Sequence, residues 1–570
     1  MIKNFGEYAT DDAIIRLLAK ERGKLAVKNS KKRNNKKKKE GKNEKEKENE
    51  KEIYQSLMKM LPPRQLWPNP GKVRRPVQPK EQGPEKWTYE KRRAANHAYI
   101  SICKLRREHP DAPWVRELNT FLQHIHDIVE GRVEARLESP DIIPMFKEQD
   151  PDSGDFIFRP ICVYHELETK IILALAFRYI QITFDDCFHR NMLFMRSARR
   201  TLDGKGWATP NNLDAIRLVN SYRQKHLGEL IFVGECDIQK FYDIFNHEDI
   251  LRCFRELYEL KARRNGVSED FFEPIDRILR AYLESFDYYR HVMSLNNQDN
   301  PIWKHEKNKR RSKKCPDPVC RFKWVSDEKF VEAGCYTLEE LQAAKESGQL
   351  GVPQGGALSG IIVNVVMQSI DKEIVRGKDP GRLFIRYCDD ILLMHTDKDK
   401  CEAYLNYYDG ALRAHKLVPH PLHSVSEFKN NCRTLQPYWK AKSKKPFKWG
   451  DGAGDAADWI AFVGYEMRHT GEVRFRKDKV DKEFKHIARA YFQSYYSKAE
   501  EPKDRLGKLQ EVSSKFLQNQ TIITLDRYTI AQAKHLDKYL VNKFYKAARH
   551  HQVEVSARED LERYIDVLGK

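Results

Sequence analysis

The sequence predicts an α+β protein made of several domains, and three observations lead to that prediction. The chain has 570 residues, enough for roughly two to four compact units with a sizeable buried core. Short apolar runs at residues 230–233 and 383–394 have the length of buried strands, and helical apolar spacing follows the first of them at residues 247–260. Helical spacing alone continues from residue 477 onwards. Mixed strands and helices followed by a helical module are typical of the α+β class.

The composition favours a polyanionic partner and a reducing compartment. Lysine and arginine total 103 against 83 acidic residues, a formal net charge of +20, although charge alone also fits a merely soluble surface. The 11 cysteines have no regular spacing and no secretory segment opens the chain, so we expect free thiols and a cytoplasmic location. The longest mainly apolar stretch, residues 360–370, is too short to span a bilayer, so no membrane association is expected.

The N-terminal part divides into two predicted regions. Residues 1–60 comprise an amphipathic helix up to residue 27 and a disordered tether over residues 28–51, where Lys, Glu and Asn leave too little apolar surface to offset the entropy of ordering. A nucleic-acid-binding arm is the alternative, which the interspersed glutamates disfavour. Residues 61–150 form an extension that begins as a Pro-rich connector and continues as helix up to Ser139-Pro140.

An acidic doublet carries the sharpest chemical signal. Asp389 and Asp390 lie at a polar tip between the two apolar arms of the predicted hairpin 383–394. Two adjacent carboxylates repel each other and resist burial, so such a pair persists with a strong cation or many hydrogen-bond donors nearby. An ordinary Asp-Asp turn is the alternative, because Asp is a common turn residue.

A third carboxylate follows the predicted strand 230–233. Asp237 could face the hairpin tip across a sheet, which would bring three carboxylates from two neighbouring strands together. Such an oxygen-rich site suits two Mg²⁺ ions roughly 4 Å apart, with Mn²⁺ as a substitute, and this arrangement serves in-line phosphoryl transfer. The residues therefore predict Asp237, Asp389 and Asp390 as metal ligands and catalytic groups.

Three segments, in the same order along the chain, resemble the motifs of the reverse transcriptase family. Residues 237–243 are similar to its first palm motif, residues 351–360 to its glycine-rich loop and following helix, and residues 387–390 to its Tyr-x-Asp-Asp box. The chain resembles the bacterial branch, which includes group II intron, retron and defence-associated enzymes. The resemblance implies a right-hand polymerase fold and an RNA-templated DNA polymerase that adds deoxynucleotides to a primer 3′-hydroxyl.

The resemblance also implies a division into fingers, palm and thumb. It places the fingers at residues 151–228, the palm, an antiparallel sheet with helices, at residues 229–474, and a helical thumb at residues 475–570. Residues 288–350 look like an insertion in the palm, with a dense basic run and a polar amphipathic helix at residues 336–347. No zinc-finger or endonuclease domain follows the thumb, which favours a domesticated or defence-associated enzyme.

The resemblance assigns nucleotide contacts to five residues. Tyr242 would lie beneath the incoming sugar and clash with a 2′-hydroxyl, Gln354 and Gly355 would approach the nascent base pair, and Arg159 and Lys170 would grip the triphosphate. The alternatives are a core tyrosine for the first, a plain helix-entry turn for the next two and solvated surface charges for the last two.

Contacts with template and primer follow from the same resemblance. Arg196 and Arg199 occupy the place of a template-contacting segment, although the match there is loose. Phe462, Gly464 and Tyr465 look like the hairpin that grips the primer end, for which a generic hairpin is the alternative.

Three further residues, in the basic run of the insertion, are predicted to contact a phosphate backbone without sequence preference, namely Lys309, Arg310 and Arg311. The resemblance adds the backbone of Ile238 as a metal ligand and makes Lys429 a candidate for assisting the leaving group. Cys315 and Cys320 have an unfavourable spacing for zinc and no second pair beside them, so we expect free thiols there.

Two other functions stay open. A polymerase of the same fold could work without an external template or could make RNA, because the motifs do not reveal template use. From another class, the chain could be an inactive RNA-binding scaffold, which the presence of all three carboxylates disfavours. The expected partners are an RNA template, a DNA or RNA primer and deoxynucleoside triphosphates, and a dedicated structured RNA is an open alternative.

Overall fold

The computed structural model describes residues 2–34, 54–68, 84–200, 207–311, 315–431, 436–451 and 456–476. The chain forms two compact units. The first unit comprises Met1–Arg75, Lys91–Ala215 and Phe232–Pro446, and the second comprises Pro76–Glu90, Ile216–Ile231 and Phe447–Lys570. Residues 35–51 of the predicted tether and residues 477–570 of the predicted thumb lie outside the described residues.

Helices and short strands alternate along the described chain. The helices are α1 (Phe5–Tyr8), α2 (Asp11–Asn34), α3 (Pro84–Glu108), α4 (Pro113–Glu130), α5 (Leu167–Phe184), α6 (Asn212–Lys225), α7 (His247–Asn265), α8 (Glu273–Glu284), α9 (Tyr288–His291), α10 (Ile302–Arg310), α11 (Asp327–Glu332), α12 (Leu338–Ser347), α13 (Ser359–Ile374), α14 (Lys398–Ala414), α15 (Val425–Asn431) and α16 (Gln436–Lys440). The strands are β1 (Asp141–Gln149), β2 (Phe156–Val163), β3 (Arg199–Arg200), β4 (Trp207–Ala208), β5 (Ile231–Cys236), β6 (Cys320–Phe322), β7 (Arg382–Tyr387), β8 (Asp390–His395), β9 (Leu422–His423), β10 (Ser443–Trp449), β11 (Ala456–Ala457), β12 (Trp459–Phe462), β13 (Tyr465–Arg468) and β14 (Val473–Phe475).

Helix α2 is longer than the sequence analysis expected. It includes residues 28–34, which we placed in the disordered tether, and that part of the prediction was wrong. Lysine and arginine are good helix formers, and extending an established helix is far easier than nucleating a new one. The buried side chains of Ile14 and Leu18 anchor the first turns of α2, so the polar continuation starts from a fixed helix.

The N-terminal helices belong to the core of the first unit. In α4 the apolar residues recur at helical spacing, and Leu118, Leu122 and Ile125 are buried. They share one hydrophobic cluster with Phe5 of α1 and with Leu393 of β8. Helix α4 of the predicted N-terminal extension therefore belongs to the core of the first unit.

A three-stranded sheet carries the segment predicted as fingers. Strands β1 and β2 are antiparallel, with a bulge between Phe146 and Glu148, and β6 pairs in parallel with β2. Strand β6 comes from the predicted insertion. Trp303 of the same insertion is fully buried against Phe158 of β2 and Phe322 of β6, at ring-centroid distances of 5.3 and 4.9 Å. The predicted insertion thus completes this three-stranded sheet and its core.

A second sheet of the first unit holds the acidic residues. Strand β8 lies between β5 and β7 and is antiparallel to both, as the apolar run 383–394 predicted. Strand β10 continues the sheet beside β5, and its first residues pair in parallel with β9. Every residue of α13 from Ser359 to Met367 is buried, so this helix lies within the core that supports the sheet.

The second unit contains a meander of three antiparallel strands, β12, β13 and β14. Phe462 pairs with Tyr465 across a two-residue turn in which Val463 and Gly464 have φ values of 44° and 88°. Positive φ at both central positions gives the turn the twist that antiparallel strands need. The hairpin predicted from the sequence is therefore present. Among the described helices, none is both long and apolar enough to cross a membrane.

Candidate active site

Strand register brings the three predicted carboxylates to one edge of the sheet. Cys236 of β5 lies opposite Ile391 of β8, so the next positions outward on these strands are Asp237 and Asp390. Tyr387 pairs with Asp390 and closes a two-residue turn, Cys388-Asp389, between β7 and β8. The turn requires a left-handed residue, and Cys388 adopts φ 61°.

The carboxylate of Asp237 is close enough to Asp389 to raise the pKa of that group. Burial raises the pKa of Asp389, and the negative charge of Asp237 raises it further, whereas its own backbone amide and the more distant Lys442 oppose the rise. Asp390, by contrast, is exposed at the start of β8. The site therefore holds carboxylates that repel each other, and this is the condition in which a bound cation is favoured.

Asp237 is fixed by main-chain and side-chain contacts. Its amide donates to the Ser443 hydroxyl at 2.9 Å, its carbonyl accepts from the His420 amide at 2.8 Å, and its Oδ1 accepts from the amide of Ile238 at 3.0 Å. Oδ2 forms an ion pair of 3.0 Å with Lys442 Nζ. The side chain of Asp237 is thus anchored on one oxygen, while the other pairs with the ammonium group of a side chain that is 68% exposed.

No pattern in the sequence singles out Lys442, Ser443 or His420. Ser443 begins β10, Lys442 precedes it and His420 lies before β9. Only the pairing of β10 beside β5 brings these residues to Asp237. The sequence offered Lys429 as the candidate lysine, and its position is in α15. A lysine just before a strand is a weak signal of an active-site residue, because the local sequence does not reveal which strand pairs with that strand.

The residues of the first motif and the glycine-rich loop are linked. Gln354 Nε2 donates to Asp243 Oδ1 at 2.5 Å, and the Gln354 carbonyl accepts from the Cys162 amide of β2 at 2.8 Å. Burial raises the pKa of Asp243 to about 6, and the nearby Lys240 opposes the rise. Gly355 adopts φ 93°, which a side chain would strain. Gln354 is thereby held between strand β2 and Asp243.

Tyr242 contacts the turn that carries Asp389. Its hydroxyl lies 3.2 Å from the Cys388 sulfur, and the ring is half-buried. The other two predicted nucleotide contacts lie on β2 and α5. Arg159 is exposed on β2 opposite Met145, and Lys170 is half-buried in the first turn of α5.

Two of the predicted nucleic-acid contacts are wrong. Arg196 is 3% exposed, because its guanidinium binds Asp185 and the carbonyl oxygens of His189 and Met192. Its five donors are used to close a loop, so they are unavailable to a phosphate. The sequence could not show this, because a buried and a solvated arginine look alike.

Arg310 is also used inside the protein. Its side chain is 10% exposed, pairs with Glu306, and lies 4.4 Å above the ring of Phe146 and 4.7 Å above that of Phe158. Its neighbours Lys309 and Arg311 are exposed, and Arg199 is half-buried with one donor on the Arg190 carbonyl. Burial of one of these three basic residues follows from helix geometry, because successive side chains at the end of α10 face different directions.

Comparison with known proteins bears directly on this site. Residues 303–421, which include the glycine-rich loop, Asp389 and Asp390, match the family described as reverse transcriptase (RNA-dependent DNA polymerase). The protein contains a reverse transcriptase domain. Its fold is accordingly the α+β right-hand polymerase fold, and the domain is that of an RNA-directed DNA polymerase, a nucleotidyltransferase. The bacterial affinity suggested by the motifs is not part of this match.

Solved structures give a weaker likeness. The reverse transcriptase domain and its flanks are similar to apo telomerase from Candida tropicalis truncated from its C-terminal domain, at 14% identity over 69% of this chain and 69% of that chain, with a TM-score of 0.32. Telomerase from Candida albicans in complex with a fragment of telomeric RNA matches at 12% identity over 90% and 79% of the two chains, also with a TM-score of 0.32. No curated protein matches the sequence.

Proposed function

We propose that this protein copies RNA into DNA by joining deoxynucleotides to a primer 3′-hydroxyl at Asp237, Asp389 and Asp390. The observation that supports the proposal is the approach of Asp237 to Asp389 at the edge of the sheet, in a chain whose matched domain is that of RNA-dependent DNA polymerases. A scaffold that only bound RNA would gain nothing from holding two repelling carboxylates together.

The donor set fits divalent cations. Carboxylate oxygens are the ligands that Mg²⁺ prefers, and the ammonium group of Lys442 already lies 3.0 Å from Asp237 Oδ2, so the position attracts positive charge. Bound by the three carboxylates and the backbone of Ile238, two Mg²⁺ ions, or Mn²⁺ in their place, would activate the primer hydroxyl and neutralise charge on the triphosphate.

The residues around the carboxylates would then select and orient the nucleotide. The Cys388-Asp389 turn, which carries a proposed catalytic carboxylate, is called the catalytic turn. Tyr242 presents its ring beside this turn, where the ring would clash with a ribose 2′-hydroxyl. Asp243 fixes the amide of Gln354, and Gly355 leaves the backbone uncovered for the nascent base pair. Tyr242, Gln354 and Gly355 form the proposed pocket for the sugar and base.

Charged residues elsewhere in the first unit would hold the phosphates and the nucleic acid. We assign Arg159 and Lys170 to the triphosphate, and Arg199, Lys309 and Arg311 to the nucleic-acid backbone. Exposure of Arg159, Lys309 and Arg311 supports these assignments, because an exposed guanidinium or ammonium can exchange water for phosphate.

The hairpin of the second unit is the proposed primer grip. Phe462 and Tyr465 flank its two-residue turn, in which Gly464 adopts φ 88° and has no side chain to cover the backbone. The proposed partners are an RNA template, a DNA or RNA primer and deoxynucleoside triphosphates. We place the enzyme in antiviral defence on the resemblance of its motifs alone, with a dedicated structured RNA as a candidate partner.

Primer extension tests the proposal. Purified protein, Mg²⁺, a primed RNA template and labelled deoxynucleotides should give extended primer, and Asp389→Asn should reduce the rate by about a thousandfold or more. Asp399→Asn, an exposed aspartate in the first turn of α14, is the matched control and should retain activity. Tight RNA binding by a wild-type protein that extends no primer would favour the scaffold, and extension without added template would favour the template-independent alternative.

A further inference from the structure

A buried ion pair lies directly behind the catalytic turn. Arg386 of β7 and Asp371 of α13 are both 0% exposed, and Arg386 Nε lies 2.5 Å from Asp371 Oδ2. Removing two charges from water is costly, and their attraction offsets this only when the remaining donors and acceptors are satisfied. Here Arg386 Nη2 and Asp371 Oδ1 are buried with no hydrogen-bond partner among the described residues. Folding stability alone therefore does not explain why the chain has a buried ion pair at this position.

The guanidinium reaches the catalytic turn itself. Arg386 Nη1 donates to the carbonyl oxygen of Cys388 at 3.2 Å. That carbonyl belongs to the peptide bond whose nitrogen is the amide of Asp389, so the contact fixes the plane of the peptide that precedes the carboxylate. Cys388 has φ 61°, a conformation that costs energy for a residue other than glycine and persists only when its surroundings determine it. Arg386 supplies one such determinant.

The same guanidinium is held from a second direction. Nη1 also lies 3.2 Å from Asn364 Oδ1, and Asn364 Nδ2 donates to the carbonyl of Phe194 at 2.7 Å. The main chain of Arg386 pairs with this segment as well, because its amide donates to the Asn191 carbonyl and its carbonyl accepts from the Leu193 amide. The arginine is consequently fixed in position before it contacts the turn.

We propose that Arg386 is a positioning residue that, held by Asp371 and Asn364, sets the orientation of the Cys388-Asp389 peptide and so of the Asp389 carboxylate. The inference rests on the proposed function of Asp389. Arginine suits this task because its planar fork binds a carboxylate, an amide oxygen and a carbonyl at fixed angles, which a lysine ammonium cannot reproduce. Misplacing a catalytic group by about 1 Å can slow a reaction about a hundredfold.

The decisive variant removes both charges together. Arg386→Met with Asp371→Leu fills similar volume and leaves no buried charge unpaired, so the fold should be retained. If Arg386 positions Asp389, this variant melts near the wild-type temperature, yet its kcat for primer extension falls at least tenfold while its KM for deoxynucleotide changes by less than about threefold. Mn²⁺ binding, followed by water-proton relaxation, should also weaken, because Asp389 is a proposed ligand.

The controls separate structural damage from loss of positioning. Lys261 lies near the end of α7, and its nearly buried ammonium group pairs with Asp186. The variant Lys261→Met removes this charge and should have the wild-type kcat at any temperature at which the variant is folded. If the double variant fails to fold, the single variant Arg386→Lys serves in its place. The shorter lysine side chain can keep the ion pair with Asp371 but cannot also donate to the Cys388 carbonyl. Wild-type kcat in either folded variant overturns the inference. An inactive wild-type protein, by contrast, refutes the proposed function itself.

Discussion

The hydroxyl of Tyr242 lies 3.2 Å from the sulfur of Cys388, and this contact joins the first palm motif to the turn that carries Asp389. Burial raises the pKa of Tyr242 well above its usual range and that of Cys388 to about 12, so both groups are neutral near pH 7. The contact is therefore a neutral hydrogen bond between two half-buried side chains. It sets where the aromatic ring stands relative to the proposed catalytic carboxylates.

Removing the ring of Tyr242 should relax the choice of sugar. Tyr242→Ala opens the space that a 2′-hydroxyl would need, so we expect ribonucleotide incorporation relative to deoxynucleotide incorporation to rise by about tenfold or more. Tyr242→Phe keeps the ring and loses only the contact with Cys388, so its selectivity should stay within a few-fold of wild type. Competition between the two nucleotide types in single-turnover extension measures both, and unchanged selectivity in the alanine variant would remove Tyr242 from this role.

Lys442 should compete with divalent cations for Asp237. Its ammonium group lies 3.0 Å from Asp237 Oδ2, so a cation bound there must displace it. In Lys442→Met we expect a lower melting temperature without metal, because the repulsion between Asp237 and Asp389 is no longer offset, and a larger rise on adding millimolar Mg²⁺. Lys440→Met, an exposed lysine of α16, should respond to Mg²⁺ as wild type does. Equal Mg²⁺ shifts in both variants would contradict the competition.

Local pattern was enough to predict the strands and the acidic turn. The apolar arms of residues 383–394 are strands β7 and β8, and Asp389 lies in the turn between them. The glycine-rich loop leads into α13, as the resemblance implied. These features are readable because they depend on neighbours along the chain: alternating burial, a turn residue and a helix that follows it.

The sequence did not predict features that depend on contacts between residues far apart along the chain. Lys442 reaches Asp237 only because β10 pairs beside β5, and β6 of the predicted insertion completes a sheet whose other strands lie more than a hundred residues earlier. Arg196 and Arg310 were taken for nucleic-acid contacts because basic residues on a sequence carry no mark of burial. In each case a long-range contact, absent from any local window, decides the role of the side chain.

Asp243 should make folding stability depend on pH. Burial raises its pKa to about 6 from an ordinary 3.8, so the folded chain binds this proton more tightly than the unfolded chain. The stability that the group contributes is present below about pH 4 and is lost as the pH rises through about 6. Asp243→Asn does not titrate, so its unfolding free energy relative to wild type should improve over this range by at most about 3 kcal/mol.

Urea unfolding of both proteins at several pH values between 4 and 7.5 measures this difference. Burial also raises the pKa of Asp371 to about 6, so the wild-type curve alone would mix the two groups, and the comparison of variant with wild type isolates Asp243. An Asp243→Asn variant whose relative stability did not change with pH would show that the carboxyl group has an ordinary pKa in the folded protein.

The basic run on and after α10 should separate into one structural and two RNA-binding residues. Arg310→Ala removes a guanidinium stacked on Phe146 and Phe158 and paired with Glu306, so we expect a loss of about 1–2 kcal/mol in unfolding free energy and little change in the salt dependence of RNA binding.

Replacing Lys309 and Arg311 by alanine should leave stability unchanged, because both side chains are exposed, and should reduce the slope of log affinity against log salt by about 1 to 2. Melting curves and RNA binding at several salt concentrations test both expectations on the same proteins. A salt slope that fell with Arg310→Ala in the folded protein, and not with the exposed pair, would reverse the assignment, because it would mean that the stacked guanidinium leaves its aromatic contacts to meet the phosphate.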